Sequence, residues 1–173
     1  MTSHTVRLAT AQDAPLIAAI HMDSWKSAFE GFMRAEWLAQ QTLEAVAAEW
    51  RATLGKEPES VHVAEDAGAG IVGFICSGCS PPPSVPGYDS EIFSIHIRPD
   101  AKRQGHGRRL MTAAFHRLAS LECRNAMLWT LEQNRIARDF YENLGGAVVE
   151  RSLKEFAGRP QPVVAYAWDH LPS

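Results

Sequence analysis

Two glycines, Gly105 and Gly107, stand between an apolar run and a helical pattern, and they constrain the chain more than any other feature. Glu91 to Ile97 is rich in isoleucine and phenylalanine, the composition of a buried strand. Arg98-Pro99-Asp100 stops that strand, because proline cannot donate to a ladder and aspartate favours turns. After the glycines, Leu110, Met111, Ala114, Phe115 and Leu118 recur at helical spacing. The unit is therefore strand, turn, glycine loop, helix. Glycine admits positive φ and lets an anion approach the backbone. The first N–H groups of a helix have no internal partners, and the helix dipole adds partial positive charge there. Lys102, Arg103, Arg108 and Arg109 crowd the same spot, in a chain of formal net charge −3. No Gly-Lys-Ser/Thr follows and G-x-G-x-x-G is absent, so the loop is neither a P-loop nor a dinucleotide fingerprint. The residues alone leave two readings open, an anion cradle or a helix start with a solvated basic face.

The rest of the chain alternates strands and helices around this unit. Val6 to Ala9 reads as a first strand. Thr10 and Asp13 offer caps, and Pro15 fits only a first helical turn, so a helix begins near Asp13 with Ile17, Ile20, Ser24 and Ala28 on one face. Gly31 breaks it, and a second helical region follows to about Leu54 with a Val46, Trp50, Leu54 stripe. Val61–Glu65 and Ile71–Cys76 read as an antiparallel hairpin across Asp66–Gly70. Ser80–Gly87 holds four prolines and reads as a surface loop, either lining a site or simply connecting. Ala126–Leu131 is a buried strand, and Asn134 caps a helix with a stripe of Ile136, Ala137, Phe140, Tyr141 and Leu144 that Gly145-Gly146 ends. Val148–Phe156 and Val163–Trp168 complete the pattern as two strands turning at Ala157–Pro160. The order is β-α-α-β-β-β-α-β-α-β-β, an α/β (α+β) layered fold in a single domain over residues 1–173.

Composition narrows the function classes. A pI near 6.2 gives no reason to expect non-specific nucleic-acid binding. Met1–Arg7 has no apolar core of signal-peptide length, and no apolar run approaches the roughly 20 residues of a membrane helix, so a cytoplasmic protein away from membranes is expected. Three cysteines, an odd number, suggest reduced thiols. Cys76-Ser-Gly-Cys79 lacks a second pair for zinc and ends a strand instead of opening a helix, so it reads as structural.

The sequence Lys102-Arg103-Gln104-Gly105-His106-Gly107 after Ile97-Arg98-Pro99 resembles the acetyl-CoA segment of the GCN5-related N-acetyltransferase (GNAT) superfamily. That family's pattern is Arg/Gln-x-x-Gly-x-Gly/Ala, and lysine replaces the first position here. Asn134 and Phe140-Tyr141-x-x-Leu144-Gly145 extend the resemblance, as do Thr10-x-x-Asp13 and Ser24-Trp25. It implies a central, mostly antiparallel mixed sheet flanked by helices, with the fourth and fifth strands splayed apart. It implies acetyl-CoA as cofactor, an amine on a small molecule, peptide or protein as acceptor, and no metal in the mechanism. Dimers are common in the family, so a homodimer is compatible with it.

The resemblance also assigns roles. The backbone of Gln104–Arg108 would hold the pyrophosphate, with Lys102, Arg103, Arg108 and Arg109 neutralising charge. The pantetheine would pair with the fourth strand around Ile95, His96 and Ile97. Asn134, Ala137 and Phe140 would line the cofactor from the next helix. Tyr141 would protonate the departing thiolate, since a phenol of reference pKa about 10 keeps its proton; read without the family, it is a core residue. Glu91 or His96 would take the amine's proton. Strict alternation puts Glu91 on the face of Phe93, Ile95 and Ile97, and the bulge common in this strand would re-aim it. The acceptor pocket would draw on Trp25, Phe29, Phe32, Met33, the proline loop, Tyr88 and the Gly158-Arg159 turn. Two rival readings stay in view: a non-catalytic acetyl-CoA sensor or interaction domain, and a polyanion module using the basic loop, which the net acidity disfavours.

Overall fold

A computed structural model describes residues 4–28, 35–56, 59–79, 85–156 and 159–172. Strands β1 (His4–Leu8), β2 (Glu59–Asp66), β3 (Gly70–Gly78), β4 (Glu91–Ile97), β5 (Ala126–Leu131), β6 (Ala147–Phe156) and β7 (Arg159–Trp168) form one sheet in the order β1-β2-β3-β4-β5-β7-β6. All neighbours are antiparallel except β4 and β5, which are parallel and meet only at Glu91 opposite Met127. The splayed mixed sheet expected from the resemblance is therefore the observed one. Among the described residues no helix is long and apolar enough to cross a membrane.

Helices α1 (Ala14–Ala28), α2 (Ala35–Gln40) and α3 (Leu43–Thr53) lie between β1 and β2. The sequence suggested one helical region before Leu54, but it is two. Thr42 takes an extended conformation and its hydroxyl accepts from Ala45 N–H at 3.1 Å, so the backbone restarts there. At the start of α1 the expected capping pair forms: Asp13 accepts the Thr10 N–H at 2.7 Å. Arg7 then binds Asp13 at 2.8 Å and Glu65 at 2.7 Å, tying β1, the cap and β2 together.

The sheet separates two cores. On one face, Ile17 and Ala18 of α1 and Val46 and Trp50 of α3 pack on Val61, Val63, Phe74 and Cys76. On the other, helix α4 (His106–Ser120) buries Leu110, Met111, Ala114, Phe115 and Leu118, the expected stripe, against Ile75, Ile92 and Leu128. Helix α5 (Arg135–Asn143) joins that second face through Tyr141, while Ile136 is 77% exposed and is not part of the stripe.

Two further features differ from expectation. Cys79, at the end of β3, and Cys123, before β5, form a disulfide, which corrects the expectation of reduced thiols for this pair. The pairing joins elements 44 residues apart, which sequence spacing does not reveal. Cys76 remains a buried thiol, its pKa pushed up to about 12 by burial and then by Glu59. Strand β7 also begins earlier than expected and includes Pro160 and Pro162. These residues pair with β6 alone, since β5 pairs only with Val163–Trp168, so the missing N–H groups interrupt no second ladder.

The apex where β4 meets β5 is clasped. Met127 N–H donates to Ser90 carbonyl oxygen at 3.1 Å, and Ser90 Oγ donates to the Asn125 carbonyl at 2.6 Å. Asp89 accepts from the N–H groups of Arg124 at 3.1 Å and Asn125 at 3.2 Å. Burial pushes the Asp89 carboxyl up, but these N–H bonds and the Arg124 charge hold it below the usual carboxylate range.

Candidate active site

The gap between β4 and β5 is flanked by the start of α4 and by α5. Gly105, the N-cap of α4, has φ +83°, a left-handed conformation that glycine adopts without strain. The first bond of the helix runs from Arg109 N–H to Gly105 carbonyl oxygen at 3.1 Å, so the N–H groups of His106, Gly107 and Arg108 have no acceptor inside the helix. Lys102, Arg103, Gln104, Arg108 and Arg109 are exposed around them. Arg103 itself holds φ +63°, and Arg109 donates to the Gln104 carbonyl at 3.1 Å, shaping the loop. A Cβ on Gly107 would come 3.1 Å from Phe140 of α5. The glycine loop and α5 thus lie in close contact at Gly107, where a larger residue would push on the Phe140 ring.

On β4 the register skips Phe93: Cys76 lies opposite Ser94, and Ser77 opposite Ile92. This bulge reverses the alternation. Ile92, Ile95 and Ile97 belong with the α4-side core, while Glu91, Ser94 and His96 lie opposite Gly78, Cys76 and Phe74 on the α1 side. Glu91 and His96 therefore share one face, which the unbroken pattern would have denied. Ser24 Oγ of α1 and His96 Nδ1 share a hydrogen bond of 2.7 Å. Burial, with His21 and Lys102 adding repulsion, lowers the His96 pKa to about 3. His21 is lowered to about 4 by burial, and its Nδ1 accepts from Trp50 Nε1 at 3.3 Å. The two imidazoles lie 5.0 Å apart between α1 and the sheet.

Across the gap, Asn134 caps α5 by accepting from Ala137 N–H at 3.2 Å. Ala137 and Phe140 are half-buried, and Tyr141 is buried against Phe140, Tyr166 and Trp168. Burial pushes the Tyr141 phenol above its ordinary value, and among the described residues no hydrogen bond to its hydroxyl is present. The neighbouring Tyr166 differs, since its hydroxyl donates to Glu142 at 2.5 Å.

The acceptor candidates divide. Trp25 stacks near His21 (4.2 Å) and Trp37 (5.4 Å). Tyr88 donates to Asp169 at 2.9 Å and packs with Val85 and Met127 at the closed end of the gap. Arg159 opens β7, whereas Phe29, Phe32, Met33, Gly158 and residues 80–84 lie outside the described residues. A cavity of about 380 Å³ opens on the α1 side beside Phe93 and Ser94, with Glu49, Glu59 and Trp50 among its walls. Two residues on this side were not singled out from sequence: Trp129 and Lys154, whose Nζ lies 4.2 Å from the Trp129 ring centre. Burial lowers the Lys154 pKa, while Glu91 and Glu150 pull it back up. Only the strand pairing of β6 and β7 brings this lysine near Glu91, so no local pattern could have found it.

The model of the Acetyltransferase (GNAT) family matches residues 19–146. The N-acetyltransferase YuaI of Bacillus subtilis (strain 168), itself uncharacterized, is 28% identical over 167 residues, covering 96% of this chain and 94% of its own. In fold, the chain is similar to yncA from Salmonella typhimurium, solved with its cofactor acetyl-CoA (TM-score 0.73, 18% identity, covering 99% of this chain and 95% of that one). It is similar also to the PaiA N-acetyltransferase from Thermoplasma acidophilum, solved with coenzyme A (TM-score 0.74, 15% identity, covering 96% and 99%).

Proposed function

The chain belongs to the GNAT acetyltransferase family, and from that premise we propose how its residues divide the work of acetyl transfer. It is an N-acetyltransferase that uses acetyl-CoA. Acetyl-CoA supplies an acetyl group activated as a thioester. The loop fits such a group: it offers unpaired N–H donors, exposed cations, and two positions without a Cβ. The N–H groups of His106, Gly107 and Arg108 hold the pyrophosphate, and the unpaired edge of β4 around Ile95 and Ile97 takes the pantetheine amides as a strand.

Glu91 is the proton acceptor in this reading. It is turned onto the acceptor face by the bulge at Phe93, whereas His96 is already engaged at Nδ1 by Ser24 Oγ. Glu91 takes the proton that the attacking amine releases, and Tyr141 gives one to the departing sulfur, so the proton count closes. His96, fixed by Ser24, holds the strand and offers a neutral imidazole to the acceptor side. The acceptor is an amine. Glu49 and Glu59 beside the cavity favour one that carries positive charge elsewhere in the molecule.

The observation that carries this reading is the contact of Gly107 with Phe140, which places the anion cradle beside the neighbour of Tyr141, whose hydroxyl has no hydrogen-bond partner among the described residues. Thermal unfolding with acetyl-CoA, CoA and ATP in parallel tests it. Ligand at about 100 times its Kd adds roughly 2.7 kcal/mol, a rise of roughly 5–10 °C for a chain of this size. A rise with the first two ligands and none with ATP is expected, followed by thiol release in an amine screen. No rise with any of them removes the cofactor assignment. A rise without thiol release from any amine leaves a sensor that binds and does not turn over.

A further inference from the structure

The side chain of His106, between the two loop glycines, turns inward against His4 of β1. It is 1% exposed, and neither ring nitrogen has a hydrogen-bond partner. A fully buried imidazole with both nitrogens bare is uncommon, because each forgoes its bond to water. Its neighbours are of ligand-forming types. His4 on β1 and Asp66 on β2 are direct cross-strand partners, so their side chains share the face that α4 covers. The His4 ring meets the His106 ring edge-on with centres 4.8 Å apart. His4 Nδ1 lies 3.1 Å from Asp66 Oδ2, yet that nitrogen makes no hydrogen bond of acceptable geometry. The other oxygen, Oδ1, accepts from Gly68 N–H at 2.9 Å, which fixes the carboxylate.

We propose that His4, Asp66 and His106 form a site for a divalent transition-metal ion of the zinc class, which pins the cofactor loop to β1 and β2. One ligand atom from each residue lies within 4.8 Å of the others. Two ligands on one tetrahedral zinc at about 2.0–2.1 Å stand roughly 3.3 Å apart, close to the His4–Asp66 spacing. Turning the His106 ring closes the remaining distance. Two imidazoles and one carboxylate suit zinc and its neighbours in the first transition row, and suit magnesium or calcium poorly. A water completes the shell on the partly open side. The Gly68 N–H orients the carboxylate as an outer partner of a ligand should. Because His106 is the first residue of α4, an ion here stiffens the same turn whose N–H groups are left unpaired within the helix. Metal and CoA then strengthen each other's binding by equal factors.

The test uses the full chain after chelator treatment, with zinc or cobalt(II) alone as probe. Wild type should show a melting rise of roughly 5–10 °C at saturating zinc, reversed by EDTA, and cobalt(II) should give visible d–d absorption. Asp66→Asn, which keeps the side chain's shape, and His4→Gln should lose both signals while still unfolding cooperatively. His106→Leu is a third arm, read only if it folds. No melting rise and no cobalt spectrum in wild type overturns the proposal and leaves a buried water as the partner of His106. Signals of equal size in wild type and Asp66→Asn overturn it too, since the ion would then sit on other histidines. The CoA response is measured separately and without metal, so neither result decides the other.

Discussion

The two ends of the segment proposed to hold the cofactor are built by different means. The loop from Gln104 to Arg109 is proposed to bind through its backbone: a left-handed Gly105, an unpaired first helical turn, and a glycine whose added Cβ would come 3.1 Å from Phe140. The proposed reacting end, from Glu91 to His96, would work through side chains whose direction depends on one skipped residue opposite β3. A backbone device is written in local residue types. A side-chain device is written in the register between strands, and a one-residue slip turns every side chain to the other face. The loop should therefore tolerate changes of side chain and fail on changes of backbone, and the strand end should do the reverse.

The largest effect tests the side-chain end. Tyr141→Phe should lower turnover about 10²-fold or more while the CoA-induced melting rise stays unchanged. Turnover within a factor of two of wild type would remove Tyr141 from the chemistry and return it to the core. Glu91→Gln should follow, with turnover down roughly 10- to 100-fold and the acidic limb of the pH–rate profile gone. His96→Gln should keep that limb, and its loss there instead would exchange the two residues' roles.

The backbone end is probed by Gly105→Ala. Forcing a Cβ into φ +83° should cost about 1–2 kcal/mol, read as weaker CoA binding of roughly 10-fold with turnover at saturation unchanged. Lys102→Ala should change CoA affinity least, by less than about threefold and only at low salt, because exposed ion pairs are weak. An effect of Lys102→Ala larger than that of Gly105→Ala would break the contrast.

Acidity offers a test between these in size. His96 and His21 are held near pKa 3 and 4 in the folded state, against about 6.5 unfolded. The unfolded chain then binds more protons, so stability is complete above about pH 6.5 and declines as pH falls toward 4. The melting temperature should drop by several degrees over that interval, and His21→Gln should flatten the drop. A flat wild-type profile would mean that the two rings take up protons alike in the folded and unfolded chains.

How much of this was legible in the sequence follows the same division. The glycine loop, the α4 stripe, the Asn134 cap and the Thr10–Asp13 pair are all local patterns, and all form as read. The face of Glu91 needed the bulge at Phe93, which no residue type in Glu91–Ile97 announces. Lys154 over Trp129 joins two strands through a third, and Cys79–Cys123 joins β3 to the turn before β5. Ile136 is apolar at the right spacing, yet in the first turn of α5 it is exposed while Ala137 packs on the core. The break between α2 and α3 carries no glycine or proline, and only Thr42, a good cap, marks the restart.

The parting of β4 from β5 has a consequence for the protein in a test tube. Past Glu91 and Met127 each strand presents an unpaired edge in the middle of a sheet, and β4 is rich in isoleucine there. Edges of that kind recruit other chains. Purified without its cofactor, the enzyme should therefore be prone to clump as it is concentrated or warmed, and added CoA should act as its preservative.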